Sequence, residues 1–276
     1  MMFINYLIFK LNSNINKIMK QIILLVTLLY SCITYAQDEN LVFHFQVQKN
    51  FLTSDYDLVL GKNITMWKEV SDPKQSEFNP TYIPDEDYKR KVLFKNIKSK
   101  EVFSEYDILG AHFFVNDSLN KMAWKLVDNE AEKILGYECK KAKTSFNGRE
   151  YEVFYTDEIA ISNGPWKFGG LPGMILKVVA KSNRETYKME CYGIEKHKQD
   201  TQSEFINYLK KNKKKKFQTW DEFVVDFNSF LDRYIKGLKS EVEAEGDSGF
   251  TLHFSVDNHL EIFSEKVQTD GILLEF

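Results

Sequence analysis

Carboxylate clusters, histidines, cysteines and one glycine-rich stretch are the residues of this chain that a reaction would need. Asp85-Glu86-Asp87 and Asp157-Glu158 are the carboxylate clusters. Paired carboxylates do acid–base work or hold a hard cation. Neither has the spacing of a calcium loop, and a solvated turn is the plainer reading of both. The histidines are His44, His112, His197, His253 and His259, and none forms H-x-H or H-E-x-x-H. His44, His112 and His253 lie in aromatic-rich stretches, where a satisfied core or edge histidine is the default. No serine stands in a G-x-S-x-G elbow. Cys139 and Cys191 make no C-x-x-C and have no histidine within four residues, which argues against zinc. These patterns name no catalytic residue, no metal site and no cofactor.

The densest unusual stretch is Gly164-Pro165-Trp166-Lys167-Phe168-Gly169-Gly170-Leu171-Pro172-Gly173. Leu171-Pro172-Gly173 suits a type II turn, with Pro fixing φ and Gly173 supplying φ > 0. Gly169-Gly170 allows close approach of backbone to backbone or to a ligand. The stretch is therefore a binding loop or a packed turn in which Trp166, Phe168 and Leu171 plug the core. The packed turn is favoured. A phosphate loop is excluded, because G-x-x-x-x-G-K-[ST] and the strand–glycine–helix order are missing.

The elements that must position these residues are mostly strands. Leu41–Gln48 alternates apolar and polar residues, as a half-buried strand does. Short strands follow at Tyr56–Leu60, Ile64–Trp67, Lys91–Phe94, Glu101–Ile108 and His112–Val115. Ser71–Asp87 holds three prolines and reads as a loop, and Asn116-Asp117-Ser118 reads as a turn. Ala123–Val127 is a strand and Asp128–Glu130 a turn. Lys133–Phe146 and Arg149–Tyr155 flank Asn147-Gly148, a strong hairpin signal because both turn positions need φ > 0. Met174–Ala180 and Thr186–Ile194 form another pair around Ser182-Asn183. Then Lys210, Lys211 and Lys213–Lys216 make a basic run, read as a solvated linker or as a surface for anionic lipid. Thr219 and Glu222 form a capping box, and apolar residues from Phe223 to Leu238 recur at helical spacing. That helix, about residues 219–240, ends in the acidic stretch Glu241–Gly249. Strands at Phe250–Val256 and Leu260–Ser264 close the chain. The fold class is mainly β (α+β): an antiparallel meander forming a curved sheet or open barrel, with an amphipathic helix packed on it.

The N-terminus reads as an export signal. Met19-Lys20 precedes the apolar run Ile22–Tyr30, too short to span a bilayer, and Thr34-Tyr35-Ala36 offers small residues for cleavage before Gln37. Residues 1–18 read as a mis-assigned start. Leu29-Tyr30-Ser31-Cys32 has the outline of a lipobox, so acylation of Cys32 is the alternative to cleavage at Ala36. The mature chain, residues 37–276, reads as one β-rich domain. It keeps 34 basic against 40 acidic residues, a net charge of −6, which argues against nucleic acid as partner. Nothing in it is long and apolar enough to cross a membrane as a helix. In an oxidising compartment the pair Cys139 and Cys191 reads first as a disulfide; both lie in expected strands, and sequence does not show whether their Cα atoms come close enough to bridge.

The glycine-rich stretch resembles the signature of the GLPGLI family of exported proteins, found mainly in Bacteroidetes, with Met174 where the motif has its second Leu. Ile134-Leu135-Gly136-Tyr137-Glu138-Cys139-Lys140-Lys141-Ala142, Gly148-Arg149, Tyr155-Thr156 and Gly164-Pro165 follow that family's order. The resemblance covers about residues 120–195. It implies export and no established activity. The expected function is non-enzymatic binding or scaffolding in the periplasm or at the outer membrane, with an apolar ligand or an outer-membrane protein as partner. An extracytoplasmic hydrolase, a thiol-redox enzyme and an accessory subunit of an outer-membrane transporter are the alternatives.

Overall fold

The structure, a computed structural model, describes residues 19–21, 39–49, 52–70, 74–75, 91–119, 122–147, 149–181, 186–245, 251–254 and 272–275. The chain divides into two units, Met1–Glu39 and Asn40–Phe276. In the first, residues 19–21 form a helical turn. The predicted cleavage site at Ala36, Cys32, the Asp85-Glu86-Asp87 cluster, Gly148, Ser182-Asn183, His259 and the strand expected at Leu260–Ser264 lie outside the described residues.

The second unit is strand-rich. In chain order its strands are β1 (Asn40–Lys49), β2 (Leu52–Leu60), β3 (Ile64–Glu69), β4 (Lys74–Gln75), β5 (Val92–Asn96), β6 (Glu101–Ile108), β7 (Ala111–Ser118), β8 (Lys125–Ile134), β9 (Tyr137–Phe146), β10 (Arg149–Thr156), β11 (Met174–Lys181) and β12 (Thr186–His197). Helix α1 (Thr201–Lys211), the short β13 (Phe217–Gln218), helix α2 (Trp220–Glu245), β14 (Thr251–Phe254) and β15 (Ile272–Glu275) follow. The main sheet runs β13-β7-β6-β5-β3-β2-β1-β12-β11-β10-β9-β8, with β4 on β2. Its pairs are antiparallel except β13 on β7. A mainly β fold with a meander and a packed helix is what the alternation of residue types demands.

Curvature follows from chain connectivity. Strands β7 and β8 stand ten strand steps apart, about 48 Å on a flat sheet at ~4.8 Å per step. Seven Cα steps join Ser118 to Lys125, and they reach at most about 25 Å. The sheet therefore curls to bring those strands together. The main core fills the inside of the curl. Phe43, Phe45, Leu58, Trp67 and Val102 from one run of strands meet Tyr151, Val153, Tyr155, Leu176 and Met189 from the other.

Alternation along the strands assigns the helices. Val42, Val59, Ile64, Met66, Phe94 and Phe103 point away from the main core and pack against Phe205 and Tyr208 of α1. Tyr106, Ile108 and Val115 pack against Phe223, Phe227 and Leu231, spaced four apart on α2. The capping box is formed: Thr219 N donates to Glu222 Oε2 at 2.9 Å, and Glu222 N donates to Thr219 Oγ1 at 3.3 Å.

Several expectations need correction. Helix α1 was not expected. It is short, and its N-cap is Asp200, whose carboxylate accepts from Ser203 N at 2.9 Å. Asn116-Asp117-Ser118 is the end of β7, not a turn. Asp128–Glu130 is a bulge within β8, where pairing to β9 slips between Val127 and Ala131. The expected strand Lys133–Phe146 is broken at Leu135-Gly136, a two-residue hairpin with φ of 50° and 89°. Leu109-Gly110 makes the same turn, with φ of 51° and 78°. Leucine disfavours φ > 0, so in both turns only the glycine carried the signal. At Asn147-Gly148 the expected hairpin is present, with Phe146 paired to Arg149 and Asn147 at φ 45°. The terminal strand Thr251–Phe254 pairs with Ile272–Glu275.

Candidate functional site

The glycine-rich loop between β10 and β11 is organised around two lysines. Lys95 on β5 is fully buried, and its ammonium has three acceptors. They are Asn163 Oδ1 at 2.8 Å, Gly164 O at 2.6 Å and Phe168 O at 2.9 Å. Asn163 is fixed in turn, donating from Nδ2 to Thr65 Oγ1 at 3.0 Å and accepting from Gly164 N at 2.9 Å. Burial pushes the Lys95 pKa well below its ordinary value. The three oxygens offset that desolvation, since each meets one of the three protons an ammonium carries.

Lys167, in the loop itself, faces the other way. Its Nζ donates to Tyr106 Oη at 2.7 Å and lies 4.7 Å from the ring centre of Trp220 and 5.3 Å from that of Trp166. This cation–π cage ties the loop to the aromatic cluster under α2. Phe168 and Leu171 enter the main core at 0% and 3% exposure, with Tyr151 edge-on to Phe168 at 5.1 Å. Trp166 packs partly buried against Phe168 at 5.2 Å. Trp124 Nε1 donates to Gly169 O at 2.8 Å.

Several backbone donors of the loop and of the start of β11 are likewise committed inside the protein. Phe168 N meets Pro165 O, Gly170 N meets Ser162 Oγ, Met174 N meets Ile159 O and Ile175 N meets Asn163 O, all within 3.2 Å. The loop residues expected as a binding or structural turn are thus brought together as a packed clamp. One detail differs: φ > 0 falls at Gly170 (87°) and Trp166 (49°), not at Gly173. Gly173 is required for space, because a Cβ there would stand 2.0 Å from Thr156 O. Gly164 is similarly pressed, with Ile175 Cβ 2.9 Å away. Sequence reasoning missed Lys95. A lysine in an apolar strand is its only mark, and its partners lie about seventy residues on.

The other candidates resolve plainly. Cys139 and Cys191 are buried free thiols, so the disulfide is not formed in this structure. They sit on β9 and β12, three strand steps apart in the sheet order, and each S–H faces a carbonyl of its own strand, Tyr137 O or Gly193 O. Burial pushes Cys139 up to about 11 and Cys191 up to about 12. Asp157 pairs with Lys140 at 2.5 Å, which lowers its pKa, and Glu158 accepts from Glu138 N at 2.9 Å. His44 is bracketed, with Asp57 2.7 Å from Nδ1 and Glu195 3.3 Å from Nε2. Those carboxylates flank opposite edges of the ring and do not converge on one point. Among the described residues, no group of three or more His, Cys, Asp or Glu side chains could hold a metal ion. No helix among them is long and apolar enough to cross a membrane.

A groove of about 500 Å³ runs between α1 and the β3/β5 strands. Its floor holds Met66, Val92, Phe94 and Tyr208, and Lys68, Lys91 and Lys211 stand on its rim.

Comparison with known proteins places these features in a family. Two structures of PNGF-II, in C2 and P21 space groups, are similar. The first is 22% identical, covers 66% of this chain and 30% of that chain, and has a TM-score of 0.42. The second is 25% identical, covers 60% and 30%, and has a TM-score of 0.40. The chain thus spans about 30% of the length of these solved chains. No curated protein matches. The family model described as "N-glycanase peptide, N-terminal domain" matches residues 76–222, which include Lys95, the glycine-rich loop, both buried cysteines and α1. That match covers more than half of the sequence, and the chain belongs to this family of N-glycanase N-terminal domains.

Proposed function

We propose that this chain is an exported, non-catalytic binding domain whose ligand is an N-glycan-bearing protein or peptide. The observation that carries the reading is the family match, which is to an N-terminal domain and not to a whole N-glycanase. The clamp geometry supports it. The loop that sequence marks most strongly spends Lys167 and the carbonyl oxygens of Gly164 and Phe168 on internal contacts, as a scaffold does. Binding is favoured over carrying an apolar ligand inside the sheet, because Phe43, Phe45, Tyr151 and Phe168 fill that space. Kinship with the GLPGLI family belongs to the same proposal, since that resemblance falls on β8 to β12 and the loop. Export to the periplasm or outer membrane belongs to it too.

Titration calorimetry with an N-glycopeptide and its deglycosylated form tests the ligand, and mass spectrometry of the same mixture tests the chemistry. The expected result is saturable binding of the glycosylated form alone, with the glycan intact. Release of the glycan would overturn the non-catalytic reading. Equal binding of both peptides, or of neither, would overturn the glycan reading.

A further inference from the structure

We propose that the lysine turn after α1 is a docking surface for an anionic lipid bilayer. Six of the seven residues Lys210–Lys216 are lysines, in a chain of net charge −3. All six side chains are exposed. The turn is held at both ends. Buried Asn212 donates from Nδ2 to Tyr208 O at 3.1 Å, and Lys215 N donates to Asn212 O at 2.8 Å. Phe217 then locks between Phe103, Phe114 and Tyr208, with ring centres 5.6 to 6.1 Å away. The basic run is therefore a clamped display of charge and not a loose linker.

Lys216 reaches Glu222 at 3.3 Å and Lys215 lies over Phe114 at 5.7 Å. Lys210, Lys213 and Lys214 project the charge outward. Lys68 and Lys91 on the groove rim extend the patch beside Lys211. Two acids line the groove as well, Glu69, which is buried and accepts from Lys91 N at 3.3 Å, and Glu204, which accepts from Gln199 Nε2 at 2.6 Å; three lysines, Lys68, Lys91 and Lys211, line it with them.

The partner follows from what stands beside the charge. Ile206 is 40% exposed one helical turn before Lys210, on the same face. The adjoining groove has an apolar floor. A bilayer interface offers phosphate charge and acyl chain together, whereas a polyphosphate backbone offers only charge. The run contains no arginine, the residue that reads phosphate bidentately, so its recognition is by diffuse charge.

Flotation with phosphatidylcholine vesicles, with and without phosphatidylglycerol, tests the proposal. The full chain is compared with K210Q/K213Q/K214Q, so that the N-terminal apolar segment is common to both arms. Expected is binding that requires phosphatidylglycerol, weakens with salt, and drops by about a hundred-fold in the variant at unchanged Tm, at about five-fold per lysine. Equal binding of the two proteins, binding indifferent to phosphatidylglycerol, or no binding overturns it. So does tighter binding to single-stranded DNA than to the vesicles. Vesicles carry no glycan, so this result stands apart from the glycan reading.

Discussion

Lys95 shows how a buried lysine is held by amide oxygens. Three carbonyl-type oxygens from one loop converge on it, and one of them, Asn163 Oδ1, also accepts from Gly164 N. Replacing the ammonium by an apolar end of similar length takes this donor from Gly164 O and Phe168 O and leaves Asn163 Oδ1 with Gly164 N, at about 1–3 kcal/mol for each buried group left unmet. Lys95→Met is expected to cost about 3 kcal/mol or more, read as a lowered urea midpoint with unchanged slope. A loss below about 1 kcal/mol would mean that the loop is held by its aromatic plugs alone. The two thiols make the opposite electrostatic case. Burial raises them to about 11 for Cys139 and about 12 for Cys191, against about 8.5 in an unfolded chain. A raised folded value means a contribution fully present below the unfolded value and lost as pH climbs through the folded ones. Stability should therefore fall between about pH 8.5 and pH 12, and C139A/C191A should flatten that fall. At pH 8 neither thiol should take iodoacetamide before denaturation, because the thiolate is the reacting species. Rapid native-state labelling of either, mapped by peptide mass, would contradict the burial argument.

At the level of elements, α2 was legible and α1 was not, for a reason in their side chains. Helix α2 places Phe223, Phe227 and Leu231 on one line behind a capping box, a pattern that stands out in any window. Helix α1 buries Phe205 and Tyr208 with Thr201 in eleven residues, too few for periodicity to rise above the strands around it. Its docking is instead written in Gly61, where a Cβ would stand 2.0 Å from Thr201 Oγ1, a fact visible only once the helix is placed. The hairpins divide the same way. Asn147 announces its own φ, while Leu109 and Leu135 accept φ near 50° that their type disfavours. The inner face of α2 carries a direct prediction. Phe227→Ala removes a fully buried ring and should cost about 3–5 kcal/mol. Val225, on the same helix but 63% exposed, should change stability by less than about 0.5 kcal/mol when made Ala. Equal effects in chemical denaturation would mean that α2 does not rest on Tyr106, Ile108 and Val115 as described.

Across the whole molecule, alternation and turn residues foretell a curled antiparallel sheet, but they do not say which strands meet. The order β1 beside β12 rests on pairing across some 150 residues, such as Asn40 with His197, and no local signal encodes it. The loop's clamp was hidden for the same reason, since Lys95 and Asn163 are 68 residues apart. That central position of β1 bears on export. Strand β1 is bonded on both sides, to β2 and to β12, from Asn40 and Leu41 onward. Cleavage after Ala36 would leave only Gln37, Asp38 and Glu39 ahead of the strand, enough to free its end without cutting into the ladder. Cleavage before an acylated Cys32 would leave a longer leader and tie the chain to lipid by its N-terminus. The prediction is a mature protein beginning at Gln37, measured as the intact mass of the exported form. A mass that includes Cys32 with acyl chains would replace it with a lipoprotein. The lysine turn would then act as a second contact to a membrane that the lipid already holds, and K210Q/K213Q/K214Q would weaken vesicle binding far less than about a hundred-fold.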